Sequence, residues 1–132
     1  AEELFDENEL LGIGSFAQVR LAELRQTPVA VKRLHHHLLD EVSVRRFEAE
    51  CALLLSLRHP NILQCVGLVI APALGNVSMV LELCTRGPLD GLLSGHRSRG
   101  LTWREHKLGI ALGTARALAY LHAQSPPILH RD

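Results

Sequence analysis

Apolar and polar residues alternate along this chain with two different periods, and the change of period separates predicted strands from predicted helices. The spacing of apolar residues over 4–24 fits either element, but Gly12 and Gly14 disfavour a helix there. We therefore predict a strand, a glycine-bearing loop and a second strand. A turn at Thr27-Pro28 then leads into a third strand with the apolar run Val29-Ala30-Val31.

Residues 40–57 have the spacing of a helix. Their apolar side chains recur at intervals of three and four residues and form one face, which comprises Val44, Phe47, Cys51 and Leu54. Glu50 points to the same side of the helix as this face. Because a carboxylate on an apolar helix face needs a cation, we expect Glu50 to pair with Lys32 of the preceding strand.

Two further apolar runs, at residues 62–70 and 77–83, predict strands that close a hairpin through a loop of turn-forming residues. The segment Thr85-Arg86-Gly87-Pro88 has neither period and is a natural hinge. We accordingly predict two substructures, one at residues 1–84 and the other at residues 85–132.

The second substructure begins with a short predicted helix at 89–93 and contains the clearest helix of the chain at 102–123. Thr102 and Glu105 fit a capping box at the start of this long helix. One face of it is largely apolar and comprises Leu108, Ala111, Leu112, Ala115, Leu118, Ala119 and His122.

The lysine in the third strand needs an explanation, because a buried ammonium is costly unless an anion meets it. Lys32 directly follows the apolar run Val29-Ala30-Val31, and the glycines of Gly12-Ile13-Gly14 lie upstream. Glycines at alternate positions let bare backbone N–H groups approach something negative. The simplest partner shared by the lysine and the glycine-bearing loop is a polyphosphate.

Composition narrows the class of protein. The chain has 132 residues and is 47% hydrophobic, which is typical of a globular domain. Its 14 Lys and Arg residues balance 14 Asp and Glu residues, so we expect no nucleic-acid partner and no membrane-surface partner. No apolar run approaches the ~20 residues of a membrane span.

The three cysteines, Cys51, Cys65 and Cys84, are scattered, which favours reduced thiols in a cytoplasmic protein. We expect all three to be buried and inert. Neither the cysteines nor the run His35-His36-His37 has the spacing of a metal site, so no residue of the chain is predicted to bind a metal ion.

Four separated motifs agree in order and spacing with one family. They are Gly12-x-Gly14-x-x-Ala17-x-Val19, Val29-Ala30-Val31-Lys32, Glu50 ahead of His59-Pro60-Asn61-Ile62, and Ala119-Tyr120-Leu121-His122 followed by His130-Arg131-Asp132. Any one of them is weak, but the ordered set resembles the first half of a eukaryotic protein kinase domain of the tyrosine-kinase-like or tyrosine kinase branch. The resemblance covers essentially the whole chain.

The resemblance implies an α+β fold. Its N-lobe, at residues 1–84, would have an antiparallel sheet of about five strands and one helix, and the first helices of a helical C-lobe would follow at 85–132. The implied partners are ATP, Mg²⁺ and a protein substrate whose serine, threonine or tyrosine hydroxyl receives the γ-phosphate.

Carried over residue by residue, the resemblance implies roles around the nucleotide. The adenine would be surrounded by Leu11, Val19, Ala30, the gatekeeper Leu81, and backbone groups of Glu82 and Cys84. The loop over the phosphates would consist of Gly12, Gly14 and, at its tip, Phe16. Lys32 would bind the α- and β-phosphates in an ion pair with Glu50, and Asp132 would be the catalytic base.

Two departures from the family carry consequences. Ala17 stands where the third glycine of the loop is expected, and we expect altered affinity rather than lost binding. The family's metal-binding asparagine and Asp-Phe-Gly segment would follow Asp132, so we expect the 132-residue chain alone to lack phosphotransfer activity. Later helices of the family cover the apolar face of the 102–123 helix, and without them we expect self-association.

Two other interpretations stay open. A pseudokinase or scaffold would bind partners without catalysis, although Lys32, Glu50 and Asp132 are all present and favour an active kinase. A dinucleotide-binding βαβ unit, with Arg33 on the 2′-phosphate of NADP, predicts a helix at residues 15–26 instead of a strand.

Overall fold

The computed structural model describes residues 4–5, 9–71, 73, 75–94 and 100–131. The chain separates into two compact units, the first being Ala1–Arg58 with Leu63–Cys84 and the second His59–Ile62 with Thr85–Asp132. Within the described ranges, no helix is long and apolar enough to cross a membrane.

The first unit is built on a six-stranded antiparallel sheet. Its strands are β1 (Leu4–Phe5), β2 (Leu10–Ile13), β3 (Ala17–Leu24), β4 (Thr27–Leu34), β5 (Cys65–Ala71) and β6 (Asn76–Glu82). The order across the sheet is β1-β3-β4-β6-β5, and β2 also pairs with β3. The predicted antiparallel sheet is confirmed, and the two-residue segment β1 adds to the five strands expected.

The turn between β3 and β4 lies two residues earlier than predicted. Arg25 and Gln26 form it with positive φ angles of 50° and 64°, the backbone of the two-residue turn whose twist suits a hairpin. The turn predicted at Thr27-Pro28 is wrong, since these residues begin β4. Proline is tolerated there because the pairing of β4 with β6 starts only at Val29.

The helix required by the dinucleotide-binding alternative is not formed. That alternative needs a helix over residues 15–26, whereas Ala17–Leu24 is a strand antiparallel to both β2 and β4. This run of antiparallel strands has no crossover helix whose N-terminus could hold a pyrophosphate, as a βαβ unit requires.

The predicted helix between β4 and β5 is confirmed as α1 (Glu41–Ser56). Asp40 caps its start: the carboxylate accepts hydrogen bonds from the backbone N–H groups of Val42 and Ser43, each at 3.0 Å, and from the Ser43 hydroxyl at 2.7 Å. Its buried residues, Phe47 and Cys51, pack against the sheet. The cap therefore fixes where the helix begins, and the apolar stripe fixes which face it buries.

Side chains of the sheet divide into two hydrophobic clusters on opposite faces, because successive residues of a strand point to opposite sides. The cluster on the α1 face consists of Ala30, Leu34, Phe47, Cys51, Cys65, Val77, Met79 and Leu81. The cluster on the other face consists of Ala22, Val29, Val31 and Val80. Strand alternation therefore directs Lys32, two residues after Ala30, towards α1.

The second unit contains α2 (Leu89–Ser94) and α3 (Leu108–His122), with a wider helical turn at Trp103–Lys107 before α3. In that turn the Lys107 N–H donates to the Thr102 carbonyl at 3.0 Å. The Thr102 hydroxyl accepts from the Glu105 N–H at 3.2 Å, as predicted. The same hydroxyl donates to the Glu105 carboxylate at 3.2 Å, so the reciprocal contact of the capping box is made with the hydroxyl.

The predicted apolar face of α3 is exposed. The three leucines of this face are Leu108, Leu112 and Leu118, and each has between 36% and 50% of its surface exposed. The other side of the helix packs inside the unit, where a Cβ at Gly113 would lie 3.0 Å from Asn61 Nδ2. The rings of His59 and Tyr120 also meet there, with centroids 5.1 Å apart.

Candidate functional site

Lys32 and Glu50 meet between the sheet and α1. The Nζ atom of Lys32 lies 2.7 Å from Oε1 of Glu50 and donates a hydrogen bond to it. Lys32 reaches this position because β4 turns it to the α1 face, and Glu50 because it follows Phe47 by almost one helical turn. The ion pair predicted from the two periodicities is present.

The ion pair lies at the edge of the core. The Lys32 side chain is 30% exposed and that of Glu50 is 49% exposed, so Glu50 points to the predicted side of α1 but is not buried there. The helix buries the stripe of Phe47 and Cys51, and Glu50 falls at the border of this stripe. Water screens a pair in such a position, so its contribution to the free energy of unfolding is small, about 0–1 kcal/mol.

Phe47 supports the ammonium group from the core side. Its ring centroid lies 5.9 Å from Lys32 Nζ, within the range of a cation–π attraction. The sequence pattern identifies Phe47 only as a core residue. Its spacing of three residues from Glu50 is the signal that could have placed both side chains at the same cation.

The glycine-bearing loop joins β2 to β3. A Cβ on Gly12, within β2, would meet no atom within 4 Å. The space beside this residue is therefore open, and another group can come close to its backbone. The Gly14 N–H donates to the Ala17 carbonyl at 2.8 Å and closes the loop. Phe16, the residue expected at the tip, directly precedes β3 and has 69% of its surface exposed.

Ala17, at the place of the family's third glycine, is the first residue of β3. It lies opposite Leu34 of β4 and is 5% exposed. Its backbone is extended and part of the ladder, a conformation that any L-residue adopts. The methyl group is therefore accommodated within the strand pair.

The side chains expected around the adenine form a packed group and an exposed one. Ala30 and Leu81 lie opposite each other on β4 and β6, and Val19 packs against the same cluster. Leu11 is 43% exposed and belongs to neither cluster of the sheet. The structure thus brings three of these four apolar side chains together.

The end of β6 is tied to the start of β5. The Glu82 N–H donates to the Gln64 carbonyl at 3.0 Å, and the Glu82 carboxylate accepts from the Gln64 N–H at 2.7 Å. These two bonds fix the last residue of β6, after which the chain leaves the sheet. The part played by Gln64 has no signal in the sequence pattern.

The three cysteines carry free thiols, as predicted. Cys51 and Cys65 are buried, but Cys84 is exposed, so the expectation that it is buried is wrong. Since β6 ends at Glu82, the chain has left the sheet at Cys84, and no strand neighbour covers its side chain.

The predicted catalytic base, Asp132, lies outside the described residues. His130 and Arg131 before it are exposed. In the ranges that the structure describes, no group of three or more His, Cys, Asp or Glu side chains is placed to hold a metal ion.

One further contact of the loop is not apparent from the sequence. The ring of His35, directly after β4, brings its Nε2 atom to 2.9 Å from the Gly14 carbonyl oxygen. The sequence pattern identifies no role for His35, because the contact depends on the fold bringing distant residues together.

Comparisons with known proteins agree on one family. A family model described as protein tyrosine and serine/threonine kinase matches residues 5–132. Similar proteins include serine/threonine-protein kinase CTR1 of Arabidopsis thaliana, 39% identical over 124 residues, and wall-associated receptor kinase-like 14 of the same plant, 38% identical over 130 residues. The probable serine/threonine-protein kinase drkB of Dictyostelium discoideum is 34% identical over 123 residues. These alignments cover 94%, 97% and 92% of this chain but only 15%, 18% and 17% of the three relatives.

Proposed function

Because this chain belongs to the protein tyrosine and serine/threonine kinase family, we propose that it binds ATP on the sheet of its first unit and forms part of a protein kinase. The observation that carries the proposal is the ion pair of Lys32 and Glu50. It lies one strand away from the glycine-bearing loop, since Lys32 pairs with Val19, close to the start of β3.

Lys32 offers phosphate oxygens both charge and hydrogen bonds. An ammonium group has three N–H donors, and one of them is directed to Glu50. The remaining donors can serve the α- and β-phosphates, and the 30% exposure of the side chain leaves room for an anion to approach. Glu50 and the ring of Phe47 hold the ammonium in place, so less side-chain entropy is lost on binding.

The glycine-bearing loop and the apolar group would serve the other parts of the nucleotide. Backbone N–H groups of the loop would face the phosphates across the open space beside Gly12. Val19, Ala30 and Leu81 offer an apolar surface for the adenine ring. The ring edge would bond to backbone groups of Glu82 and Cys84, with Leu11 and Phe16 closing over the nucleotide from their exposed positions.

Mg²⁺, when bound, would neutralise charge on the phosphoryl group during transfer. The described residues hold no suitable group of ligands for it. We propose that the 132-residue chain binds nucleotide and, by itself, does not transfer phosphate.

For the whole protein we propose transfer of the γ-phosphate to a protein hydroxyl, with Asp132 as the base that orients this hydroxyl. Two of the relatives are serine/threonine kinases by name, which favours serine or threonine as the acceptor. The test is a peptide phosphorylation assay in the whole protein, where Asp132→Asn should abolish turnover and leave ATP affinity unchanged.

Titration calorimetry of the 132-residue chain with ATP tests the nucleotide site. Lys32→Met should weaken binding about tenfold or more, which is about 1.4 kcal/mol of binding free energy. The matched control is Lys107→Met, since Lys107 is the other lysine of the chain and belongs to the second unit. Equal affinities of the Lys32→Met variant and the unchanged chain would contradict the proposal.

A second pair of variants tests the role of the carboxylate. Glu50→Gln should weaken ATP binding while changing the free energy of unfolding by no more than about 1 kcal/mol. Glu48→Gln, the same substitution two residues earlier on α1, should change neither. A chain that folds but binds no nucleotide at all would instead favour an interaction module of the pseudokinase type.

We also propose a cytoplasmic location for this part of the protein, supported by three free thiols. One similar protein is a receptor kinase by name, so the test is fractionation of cells that express the whole protein. Recovery of this segment on the outer side of a membrane would contradict the proposal.

A further inference from the structure

His35 holds the glycine-bearing loop through two hydrogen bonds. Its backbone N–H donates to the Phe16 carbonyl at 3.0 Å, and its ring atom Nε2 lies 2.9 Å from the Gly14 carbonyl oxygen. The first bond is available to any residue other than proline. The second requires a side chain of this length with a donor at its end.

The acceptor determines where the proton of the imidazole lies. A carbonyl oxygen only accepts hydrogen bonds, so Nε2 of His35 must carry hydrogen and donate. The ring of His37 stacks on that of His35, with centroids 5.5 Å apart and an interplanar angle of 13°. This stacking limits rotation of the His35 ring away from the carbonyl.

The ring contact determines the direction of the peptide unit between Gly14 and Ser15. In a planar trans peptide the carbonyl and the following N–H point in opposite directions. With the Gly14 carbonyl held on His35, the Ser15 N–H is therefore turned away from His35. Glycine would otherwise leave this peptide unit free to rotate, because it restricts the backbone less than any other residue.

The two sides of the loop are also defined by the strand. The bond from the His35 N–H to the Phe16 carbonyl extends the β3–β4 ladder by one residue, so the alternation of side chains continues to His35. Leu34 packs on the α1 face, and His35 accordingly lies on the opposite face. The Ser15 N–H is thus directed to the face on which Lys32 lies.

We propose that His35 is a positioning residue for nucleotide binding. Its imidazole fixes the peptide between Gly14 and Ser15 so that the Ser15 N–H is presented to the phosphates of ATP. This role rests on the proposed nucleotide site, and His35 itself contacts the loop rather than the nucleotide. Fixing a donor before binding raises affinity because less conformational entropy is lost when the ligand arrives.

Two substitutions separate the donor from the ring. His35→Phe keeps a ring that can stack on His37 and removes the donor. His35→Gln removes the ring and keeps an N–H donor at the same number of bonds from the backbone. His122→Phe, at an exposed histidine of the second unit, is the matched control for loss of an imidazole.

Hydrogen exchange of the peptide covering residues 9–17, measured without nucleotide, reports the loop directly. We expect exchange of the Gly14 N–H to accelerate about fivefold in His35→Phe, as expected for the loss of one net hydrogen bond, and to stay near the original rate in His35→Gln and His122→Phe. Calorimetric titration with ATP should show a similar fivefold weakening in His35→Phe, with rescue by glutamine.

The two readouts distinguish failure of this role from failure of the nucleotide site. Faster loop exchange in His35→Phe, with rescue by glutamine, supports the positioning of the loop even if no variant binds ATP. Unchanged loop exchange in His35→Phe would overturn the role while leaving the nucleotide site intact. A glutamine variant that behaves like the phenylalanine variant would also overturn it, because the donor would then not be the operative group.

Discussion

The sulfur atoms of Cys51 and Cys65 lie 3.6 Å apart inside the first unit, at hydrogen-bond distance. This contact links α1 to β5, whose first residue is Cys65. Both residues are buried, with 0% and 1% of their surfaces exposed. Burial, together with the hydrogen bond between the two thiols, raises the pKa of Cys51 to about 12. Because the thiolate is the reactive form of cysteine, the Cys51 thiol should be unreactive in the folded chain. Burial alone should keep reagents away from Cys65.

We expect a chromogenic disulfide reagent to detect one fast-reacting thiol in the folded chain and all three after denaturation. Cys84, exposed after the end of β6, is the fast one. The raised pKa of Cys51 leaves far less thiolate than an ordinary cysteine has, so this thiol should still react slowly at about pH 9. Cys84→Ser should remove the fast reaction alone, and a second fast thiol in that variant would contradict the burial of the pair.

The cap of α1 should make the stability of the first unit depend on acid pH. Hydrogen bonds from the Ser43 hydroxyl, the Ser43 N–H and the Val42 N–H hold the pKa of Asp40 below its ordinary value of 3.8. A lowered pKa in the folded state adds stability above the ordinary value, and this stability is lost as pH falls through the folded value.

Thermal unfolding at neutral pH and at about pH 3 tests the cap. Asp40→Ala should lower Tm at neutral pH. Asp40→Asn keeps an acceptor for the same N–H groups and should lower Tm less. The difference between the original chain and the asparagine variant should shrink in acid, and a difference that is the same at both pH values would rule out the carboxylate as its source.

Alanine substitutions at two glycines with left-handed backbone should lower the free energy of unfolding by different amounts. Gly75 and Gly87 have φ angles of +68° and +70°, so alanine at either costs roughly 1–2 kcal/mol of the free energy of unfolding. A Cβ at Gly75 would also lie 3.2 Å from Cδ2 of His36, whereas one at Gly87 would meet no atom within 4 Å.

We therefore expect Gly75→Ala to destabilise the chain more than Gly87→Ala in chemical denaturation. Measured against His36→Ala alone, Gly75→Ala should then cost less, because the contact with His36 has been removed. Equal losses for both single variants would show that the ring of His36 moves aside at no cost.

The exposed leucines of α3 should drive self-association of the 132-residue chain. Leu108, Leu112 and Leu118 expose between 36% and 50% of their surfaces along one side of the helix, and apolar patches of this kind associate in water. Light scattering should show species larger than a monomer, shifted towards monomer by Leu112→Glu. Thr114→Glu, which adds the same charge without removing an apolar group, is the control, and a monodisperse unchanged chain would count against the prediction.

The sequence pattern was sufficient to predict the direction of side chains in elements with one clear period. Alternation in β4 and the three-to-four spacing of α1 predict the meeting of Lys32 with Glu50, because each side chain's direction follows from its own element. The exposure of Glu50 could not be predicted in this way. A helical pattern indicates the direction of a side chain, but not how much of that side chain the neighbouring sheet covers.

Other features depend on tertiary approach or on weak local signals. The turn at Arg25-Gln26 has positive φ angles at two residues other than glycine. Turns of this kind usually contain glycine, asparagine or aspartate, so these residue types do not predict it. The exposure of Cys84 depends on where β6 ends. The contact of His35 with Gly14 forms only after β3 and β4 have paired, so no local pattern at either residue predicts it.

The pairing of β4 with β3 and β6 has a consequence for how this protein can change in length during evolution. Because side chains alternate along β4, inserting or deleting one residue before Lys32 would move the ammonium to the face now occupied by Arg33. A change of two residues would restore the face but shift every cross-strand neighbour. The hairpin turn at Arg25-Gln26 carries no such constraint, so length variation among descendants of this sequence should collect there and be absent from the strand itself.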